Sequence, residues 1–551
     1  MDQDSGHIAQ LESVQNGLAN IVIPNAHDIR GHVTLPASLD LADRDGPRIR
    51  WTSSNPDIVS DKARGTVPPG IVKRPPVGAE PALVNLSASI TFEDKKIGRQ
   101  FELVVRPSVS LAQLSRYGMA NFARSNCREG QQIFMAASIG NDPLNWVAVS
   151  DGEAVLTSQF GMHGLRDPSI VRSPEGDKFY LVATDLNVDG AYYGWQGWDW
   201  AQSGASRYIE VWESDDMSSW SKQRHVLVAP PEAGMAYAPE AIWDPDIEAY
   251  VVYWTSSLYE PGTYFTTNMA DPRRRHPLTR NQTLYATTRD FVSFTPAKVM
   301  SGREKSGTLD ALIIRSESDG YYHRFVCDRV STGVDVESYA PCGSEDVYQE
   351  KASSILAAES DWTLVASGIT HNTMGTTYAE APLAFKANPG DRRAPGYYLF
   401  CDQIWSGAPA GNQMEEQLHP YWTRDLNSGS WTPIEWGQKP NYRYAQGVMR
   451  HGCIFGLTSA EHANLRGAML LRIYIQPPAK RNYGVGEQLD LTGLRVSALY
   501  SDGVDDQKIY PGYGGYAVSG FVSDTAGVKR VLVSYNVADI TKTAHFEVEV
   551  V

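Results

Sequence analysis

An internal repeat is the feature that most constrains how this 551-residue chain can fold. Five aromatic residues each follow a polar turn after a strand-like run: Trp146, Trp220, Phe294, Trp362 and Trp431. These markers are almost evenly spaced along the chain, and further apolar runs follow each of them. Units of this size are typical of four-stranded sheets arranged radially. We therefore predict an all-β chain with a five-bladed β-propeller over residues 108–475. A series of β-sandwiches is the alternative, but sandwiches do not repeat in this way.

Two proline-containing junctions separate the repeat from the rest of the chain. They are Val105-Arg106-Pro107 and Ile475-Gln476-Pro477-Pro478. On both sides, short alternating runs are bounded by turn residues, and helical periodicity is scarce. The pattern predicts a small β-sandwich at each end, with domains over residues 1–107, 108–475 and 476–551.

Composition and charge restrict the partners of the chain. The net charge is -15, which argues against binding to nucleic acid or to anionic membrane surfaces, since both need basic residues. No run of about 18 apolar residues could span a membrane. The 14 Trp and 28 Tyr supply flat rings that can stack on sugar faces, although most such rings belong to cores. A neutral substrate fits this composition best.

The start of the chain and its cysteines bear on location and cofactors. Residues 1–17 are polar and lack the basic and apolar regions of a signal peptide, so the protein either stays in the cytoplasm or begins here after a removed signal. The five Cys show no C-x-x-C spacing, which argues against a zinc site. A set of buried thiols is favoured over a Cys327–Cys342 bridge.

Charged residues occur at one phase of the repeat. They follow the marker aromatics at similar intervals, where each innermost strand should begin: Asp167, Glu240, Asp310, Glu380 and Arg450. Because innermost strands line the central axis, we expect these side chains to converge at one end of it. Each alone is typical of a turn, as in Asp-Pro. Together, convergent carboxylates in an aromatic-rich cleft indicate glycoside hydrolysis, in which one acid protonates the leaving oxygen and another carboxylate activates water or attacks carbon.

These residues resemble glycoside hydrolase family 43. The matching elements follow in order over the whole middle segment: Arg166-Asp167-Pro168-Ser169-Ile170, Tyr237-Ala238-Pro239-Glu240, Leu309-Asp310 and Glu380-Ala381-Pro382. The resemblance implies a five-bladed propeller in which Asp167 is the general base, Asp310 tunes the pKa of the acid and orients it, and Glu380 is the general acid. It also implies inversion, with base and acid carboxyls about 6.5–9.5 Å apart. Many members have Gly where this chain has Ala381.

The resemblance also implies contacts around the catalytic residues. Arg450 stands where members often place a sugar-binding Arg, and we expect Arg166 and Glu240 to contact substrate as well. No cofactor is required. Some members hold a structural calcium ion at the axis, for which His451 is the candidate contact; a hydrogen-bonded core imidazole is the other interpretation of His451.

The substrate expected from the resemblance is a plant cell-wall polysaccharide or oligosaccharide. α-L-Arabinofuranosides rank first, followed by β-xylosides and galactofuranosides. Trp195 and Trp198 lie in an aromatic-rich loop that either walls the pocket and limits cleavage to chain ends or packs on itself. A non-catalytic sugar-binding propeller is the second functional class, but it would not need an acid and a base in phase.

The two flanking segments resemble bacterial immunoglobulin-like domains. The runs that carry this resemblance include Arg48–Pro56 before the repeat and Leu494–Gly503 after it. Such domains are typical of exported bacterial enzymes, so we expect an extracellular protein. The oligomeric state stays open.

Overall fold

The protein is described by a computed structural model that covers residues 2–41, 44–92, 95–123, 129–188, 197–259, 271, 273–274, 279–301, 307–329, 346–376, 378–404, 417–435 and 449–551. Strands dominate these residues, so the all-β prediction is confirmed. No helix in the described part of the chain is long and apolar enough to cross a membrane. Cys327, Cys401 and Cys453 are buried free thiols, while Cys127 and Cys342 lie outside the described residues.

The N-terminal domain combines a helix with two small antiparallel sheets. Its elements are α1 (Asp2–Ala19), β1 (Ser38–Leu41), β2 (Arg44–Arg48), β3 (Arg50–Ser53), β4 (Ala82–Phe92) and β5 (Lys95–Val105). Strands β1 and β2 pair, and β3, β4 and β5 form the second sheet. Val14 and Leu18 of α1 are buried in the same core as Trp51 and Leu86. This helix was not predicted, because it has few apolar residues to signal a helical period.

Five four-stranded antiparallel sheets fill the described part of residues 116–457. We call them sheets I to V. Sheet I contains β9 (Leu165–Arg172), β10 (Phe179–Asp185), β11 (Tyr208–Ser214) and β12 (Arg224–Leu227). Sheet II contains β13 (Tyr237–Asp244), β14 (Ala249–Leu258), β15 (Arg280–Thr288) and β16 (Lys298–Ser301). Sheet III contains β17 (Gly307–Arg315), β18 (Tyr322–Arg329), β19 (Val347–Ala352) and β20 (Thr363–Ala366). Sheet IV contains β21 (Tyr378–Lys386), β22 (Tyr397–Ile404), β23 (Gln417–Thr423) and β24 (Thr432–Pro433).

Sheet V is assembled from both ends of this region. It contains β6 (Arg116–Asn121), β7 (Phe134–Ser138), β8 (Trp146–Ala148) and, from the opposite end of the region, β25 (Gly452–Leu457). Strand β25 pairs with β6 from Gly452↔Asn121 to Leu457↔Arg116. Short helices lie at α2 (Trp198–Ala201), α3 (Ile369–Met374) and α4 (Ser459–Arg466), and α4 begins with a capping box at Thr458 and Glu461.

Apolar side chains join each sheet to the next. Among the described residues, buried clusters lie between sheets V and I, I and II, II and III, III and IV, and IV and V. The innermost strands β9, β13, β17, β21 and β25 contact one another in the same cyclic order. The marker aromatics open or precede the outermost strands, and Trp146, Trp362 and Trp431 are buried between sheets. The sheets therefore form a closed ring.

A β-bulge interrupts the innermost strand of sheets I to IV near its start. The register shifts there, and one non-glycine residue adopts a left-handed conformation: Asp167 (φ 49°), Ala238 (φ 47°), Asp310 (φ 52°) and Ala381 (φ 54°). These residues recur at nearly constant intervals along the chain, once in each of the four sheets. A left-handed backbone costs an L-residue roughly 1–2 kcal/mol, so the ring carries strain at its axial end.

The C-terminal domain follows α4 directly. Its strands are β26 (Leu470–Gln476), β27 (Asn482–Tyr483), β28 (Arg495–Tyr500), β29 (Asp505–Ile509), β30 (Tyr516–Ser519), β31 (Gly527–Val537) and β32 (Ile540–Val550). They form two sheets, ordered β26-β28-β29 and β27-β32-β31-β30, over one apolar core. Asn141 of sheet V donates to the carbonyls of Pro389 and Tyr513, which joins this domain to the turn after β21.

The N-terminal domain docks on turns at the far ends of the innermost strands. Arg74 is 5% exposed and makes a bidentate pair with Asp177, at 2.8 and 2.7 Å, in the turn between β9 and β10. It also donates to the carbonyls of Arg30 and Arg106. Arg289, after β15, donates to the carbonyls of Val33, Pro68 and Pro69. These charge-assisted bonds fix the domain on sheets I and II.

We expect Arg74→Ala to lower the free energy of unfolding by about 3 kcal/mol, because it leaves the Asp177 carboxylate poorly solvated and without its bidentate partner. Chemical denaturation measures this loss, and limited proteolysis should show faster cleavage between the N-terminal domain and sheet V. Arg64→Ala is the matched control. Arg64 is 73% exposed and pairs with Glu248, so its loss should cost less than about 1 kcal/mol. Equal effects of the two substitutions would contradict the prediction.

Candidate active site

Acidic residues from three sheets meet at the bulged starts of the innermost strands. Asp167 comes from sheet I, Asp310 from sheet III and Glu380 from sheet IV. His451, just before β25, places its Nδ1 3.2 Å from Asp167 Oδ1 and 3.9 Å from Asp310 Oδ2. The backbone N–H of Ala381, next to Glu380, donates to Asp310 Oδ2 at 3.2 Å. Asp310 thus links the Asp167 side of the site to the Glu380 side.

Asp167 is held ionised by its neighbours. Burial favours its neutral form, but the hydrogen bond and charge of His451, the charge of Arg166 and the Thr184 hydroxyl together keep the pKa of Asp167 below its ordinary value. Thr184 Oγ1 donates to Asp167 Oδ2 at 2.9 Å and accepts from the Ala238 N–H at 2.8 Å. The carboxylate is therefore fixed in direction and charged over a wide pH range.

Asp310 has the opposite electrostatic character. Its side chain is 10% exposed, and its backbone N–H is bonded to Thr255 Oγ1 at 3.2 Å. Burial first, and then the negative charges of Glu380 and Asp167, raise the pKa of Asp310 to about 7 against the influence of His451. Asp310 therefore keeps its proton until the pH approaches about 7.

Glu380 is the most exposed of the three carboxylates, at 23%. Tyr378 donates its hydroxyl to Glu380 Oε2, and Arg450 Nη2 lies 3.5 Å from Glu380 Oε1. Arg450 is itself held by Asp402 at 2.6 Å, and its backbone N–H bonds to the carbonyl of Phe122. Both carboxyl oxygens of Glu380 therefore have partners, while the side chain keeps access to solvent.

Arg166 and two aromatic rings line the adjacent surface. The Arg166 guanidinium stacks on Phe122, with its Cζ 4.2 Å from the ring centroid, and lies 5.8 Å from the ring of Trp198. Trp198 is 49% exposed, which leaves a face of its ring to solvent. Trp195, predicted to share this role, lies outside the described residues.

Glu240 sits deeper than the sequence pattern suggested. Relative to the bulge residues, Asp167 and Asp310 are equivalent, Glu380 is one position earlier and Glu240 two positions later. The Glu240 side chain is buried, and Ser169 of sheet I donates a hydrogen bond to it. Burial raises the pKa of Glu240 to about 7. Because Glu240 lies after the bulge, its side chain is not oriented like those of Asp167 and Asp310. Its observed hydrogen-bond partner is Ser169, and its contact with substrate stays a prediction.

His451 acts as a buried cation in this arrangement. Burial opposes its charge, but Asp310, Asp167 and Glu240 together raise the pKa of His451 to about 9. A protonated imidazole donates hydrogen bonds and does not ligate metal ions. The observed contacts therefore give no reason to place calcium at Nδ1 of His451, and the calcium contact stays a prediction.

Several supporting residues were not predicted from the sequence. Thr184, Tyr378, Asp402 and Phe122 orient the acids or the arginines through tertiary contacts. Only Tyr378 carried a readable signal, because it stands two positions before Glu380 and alternate strand residues share a face.

Three families match successive parts of the chain. Residues 113–463 match the family described as a probable glycosyl hydrolase domain, related to glycoside hydrolase family 43. Residues 476–550 match the bacterial Ig-like domain of group 3, and residues 14–108 match the atrophied bacterial Ig domain. The predicted combination of a family 43-like region with two flanking Ig-like domains is confirmed.

The individual proteins that resemble this chain share a third or less of its residues at aligned positions. An α-L-arabinofuranosidase from Bifidobacterium longum subsp. longum is 32% identical over 300 residues, which are 51% of this chain and 27% of that protein. The chain thus spans about a quarter of the length of this curated relative. A thermostable family-43 glycoside hydrolase structure is 13% identical with a TM-score of 0.35, covering 70% of this chain and 95% of that one. A Cellvibrio cellulosa α-L-arabinanase is 14% identical with a TM-score of 0.29, covering 70% and 96%.

We expect His451→Gln to lower the free energy of unfolding by about 3 kcal/mol at neutral pH, because it removes the cation between Asp167 and Asp310. The pKa of His451 rises from 6.5 to about 9 on folding, so this contribution is complete below pH 6.5 and is lost as the pH rises through about 9. Denaturation curves from pH 6 to 10 measure the difference between wild type and variant.

The matched control is His419→Gln. Burial lowers the pKa of His419, so this residue is neutral throughout the range. Its stability difference should stay constant from pH 7 to 10. A constant difference for His451→Gln as well would exclude the charged pair.

Proposed function

The chain belongs to the glycosyl hydrolase family related to glycoside hydrolase family 43, and on that premise we propose that it is an inverting, exo-acting α-L-arabinofuranosidase. Its substrate class is carbohydrate, and we assign the substrate to plant cell-wall polysaccharide or oligosaccharide that carries α-L-arabinofuranosyl ends. One observation carries the proposal: Asp167, Asp310 and Glu380 converge from three sheets with different partners and different exposure. The curated arabinofuranosidase relative favours this sugar.

Asp167 is the proposed general base. The low pKa of its carboxyl keeps it ionised, and Thr184 and His451 fix its oxygens. An inverting base must accept a proton from a water molecule that attacks the anomeric carbon from the face opposite the leaving group. A charged, rigidly held carboxylate suits this role.

Glu380 is the proposed general acid, with Asp310 as its partner. The pKa of Asp310 is raised to about 7, so this carboxyl holds a proton beside Glu380 below about pH 7. We infer that Asp310 supplies the proton that Glu380, the more exposed of the two carboxyls, delivers to the glycosidic oxygen. Tyr378 and Arg450 hold Glu380 in position for that transfer.

We further propose that sheets I to V are the five blades of a β-propeller, with the site at the axial end of the channel. The closed cycle of innermost strands supports this assignment. Trp198 and Arg166 then form one wall of the pocket, and a sugar ring stacked on Trp198 would lie beside Arg166. A wall at this position favours cleavage at chain ends or side branches.

We expect wild-type protein to release nitrophenol from the aryl α-L-arabinofuranoside faster than from the β-xyloside or the β-galactofuranoside. Glu380→Gln should lower kcat by roughly 10²–10⁴-fold on arabino-oligosaccharides, since proton transfer to the leaving oxygen is lost. The loss on the aryl glycoside should be smaller, because nitrophenolate is a good leaving group and needs less protonation. Steady-state kinetics on both substrates measures the difference.

Glu317→Gln is the control for this experiment, since Glu317 is exposed and pairs with Lys386 away from the site. Its kinetics should match wild type. An equal loss on the two substrates for Glu380→Gln would remove Glu380 from the acid role. Faster hydrolysis of the xyloside or galactofuranoside would support the proposed hydrolase activity and contradict the proposed specificity for arabinofuranose.

We expect the pH profile of kcat/KM to fall on its alkaline side near pH 7, where Asp310 loses its proton. The acidic side should lie below pH 3.8, because the pKa of Asp167 is lowered from that value. Asp310→Asn removes the group that titrates near pH 7, so the alkaline limb should no longer lie there. Asp319→Asn, in the turn after β17, should leave the profile unchanged, and an unmoved limb in Asp310→Asn would contradict the proposed role of Asp310.

A further inference from the structure

Three ligand-type side chains meet in sheet I away from the catalytic residues. Asp185 ends β10, Glu210 lies on β11 and His225 lies on β12. Among the described residues, this is the group whose ligand atoms lie within 4.8 Å of one another. Asp185 is 1% exposed and Glu210 is fully buried, while the His225 side chain is 24% exposed.

Sheet register places the three residues on one face. Glu210 stands directly opposite His225 on one side and opposite Ala183 on the other. Asp185 is two positions beyond Ala183, and alternate residues of a strand share a face. His225 Nδ1 contacts Glu210 Oε1, and the imidazole stacks on Tyr208 with the ring centroids 4.0 Å apart. The strands therefore preorganise the group before any ligand arrives.

The Asp185 carboxylate has one oxygen that its surroundings leave unmatched. Oδ1 accepts the N–H of Met162 at 2.7 Å, whereas Oδ2 is buried and receives no hydrogen bond from the described residues, although the Ser206 hydroxyl is near enough to lower the pKa of this carboxyl. Gly161 covers the carboxylate so closely that a side chain there would come within 2.0 Å of Oδ2. A buried carboxylate oxygen without a donor is costly, and a cation would remove that cost.

The pKa shifts of Asp185 and Glu210 are consistent with a cation site. Burial raises the pKa of Asp185 to about 6 and that of Glu210 to about 7. Burial also lowers the pKa of His225, and a neutral imidazole is the form that ligates a metal ion. The group therefore consists of two buried acidic side chains and one imidazole, with no lysine or arginine among them.

We propose that Asp185, Glu210 and His225 bind one Zn²⁺ ion, which ties together the three outer strands of sheet I. Two carboxylate oxygens and one imidazole nitrogen are a donor set that Zn²⁺ accepts, with the solvent side of His225 open to a water molecule as fourth ligand. A hard ion such as Ca²⁺ prefers six or more oxygen ligands, which this group does not supply. Gln223, which donates to Glu210 Oε2, would orient that ligand.

The proposed Zn²⁺ ion would stabilise the fold and would take no part in the reaction. Asp185 follows Thr184, the residue that orients the Asp167 carboxylate, on the same strand. A metal ion at Asp185 would hold the end of β10 against β11 and β12 and so fix the strand from which Thr184 projects. Binding is independent of the proposed hydrolase activity, and its test uses no substrate.

Isothermal titration calorimetry on the chelator-treated full chain tests the proposal with Zn²⁺, Mn²⁺ and Ca²⁺. We expect one Zn²⁺ per chain, weaker binding of Mn²⁺ and none of Ca²⁺, with a rise in Tm when Zn²⁺ is added. Asp185→Asn and His225→Gln should each weaken Zn²⁺ binding by about 100-fold or more. Metal analysis of protein purified without chelator should find zinc in the wild type and not in these variants.

Glu213→Gln is the matched control. Glu213 lies three positions after Glu210 on β11, faces the other side of the sheet and pairs with Lys178 and Arg224. It should bind Zn²⁺ as wild type does. Absence of Zn²⁺ binding by the wild type, or binding that survives both ligand substitutions, would overturn the proposal.

Discussion

The ladder between β6 and β25 is the interaction on which the rest of the structure depends. It joins the first and last strands of the ring, which are the most distant along the chain, into one sheet. Because Arg450 and His451 immediately precede β25, this pairing sets both cations beside acids from sheets I, III and IV. Without the closure, Asp167 would lose its main counter-charge and the apolar clusters that sheet V shares with sheets I and IV would be open.

Two aspartates of the site have opposite pKa shifts. Asp167 and Asp310 occupy equivalent bulge positions, yet a hydrogen-bonded cation lowers the pKa of one and burial raises that of the other. His451 contacts both and lies closer to Asp167, at 3.2 Å against 3.9 Å. A difference in partners, rather than in residue type, gives the two aspartates opposite pKa shifts within one site.

Features repeated along the chain could be predicted from the sequence, and features created by contact between distant segments could not. The marker aromatics revealed the period, and the innermost strands begin where the acids stand in it. The bulge could not be predicted from the sequence. Glu240 lies two positions after its bulge residue and Asp310 lies on its own, and so small an offset is not detectable in a repeat of this length. Thr184, Asp402 and Phe122 could not be found because nothing in their local sequence reports the acid or arginine that each contacts. Helix α1 was not predicted, because its sequence has no strong apolar stripe.

The antiparallel pairing of β6 with β25 also decides where the chain enters and leaves the ring. Arg116 and Leu457 are partners at one end of that pair, while Gly452, next to His451, is at the other. Both linkers to the Ig-like domains therefore emerge at the end remote from the acids, and Arg74 and Asn141 dock those domains on turns at that same end. The end of the ring that carries the acids therefore stays clear of both linkers. This geometry suits modular evolution, in which accessory domains are exchanged or multiplied without remodelling the pocket.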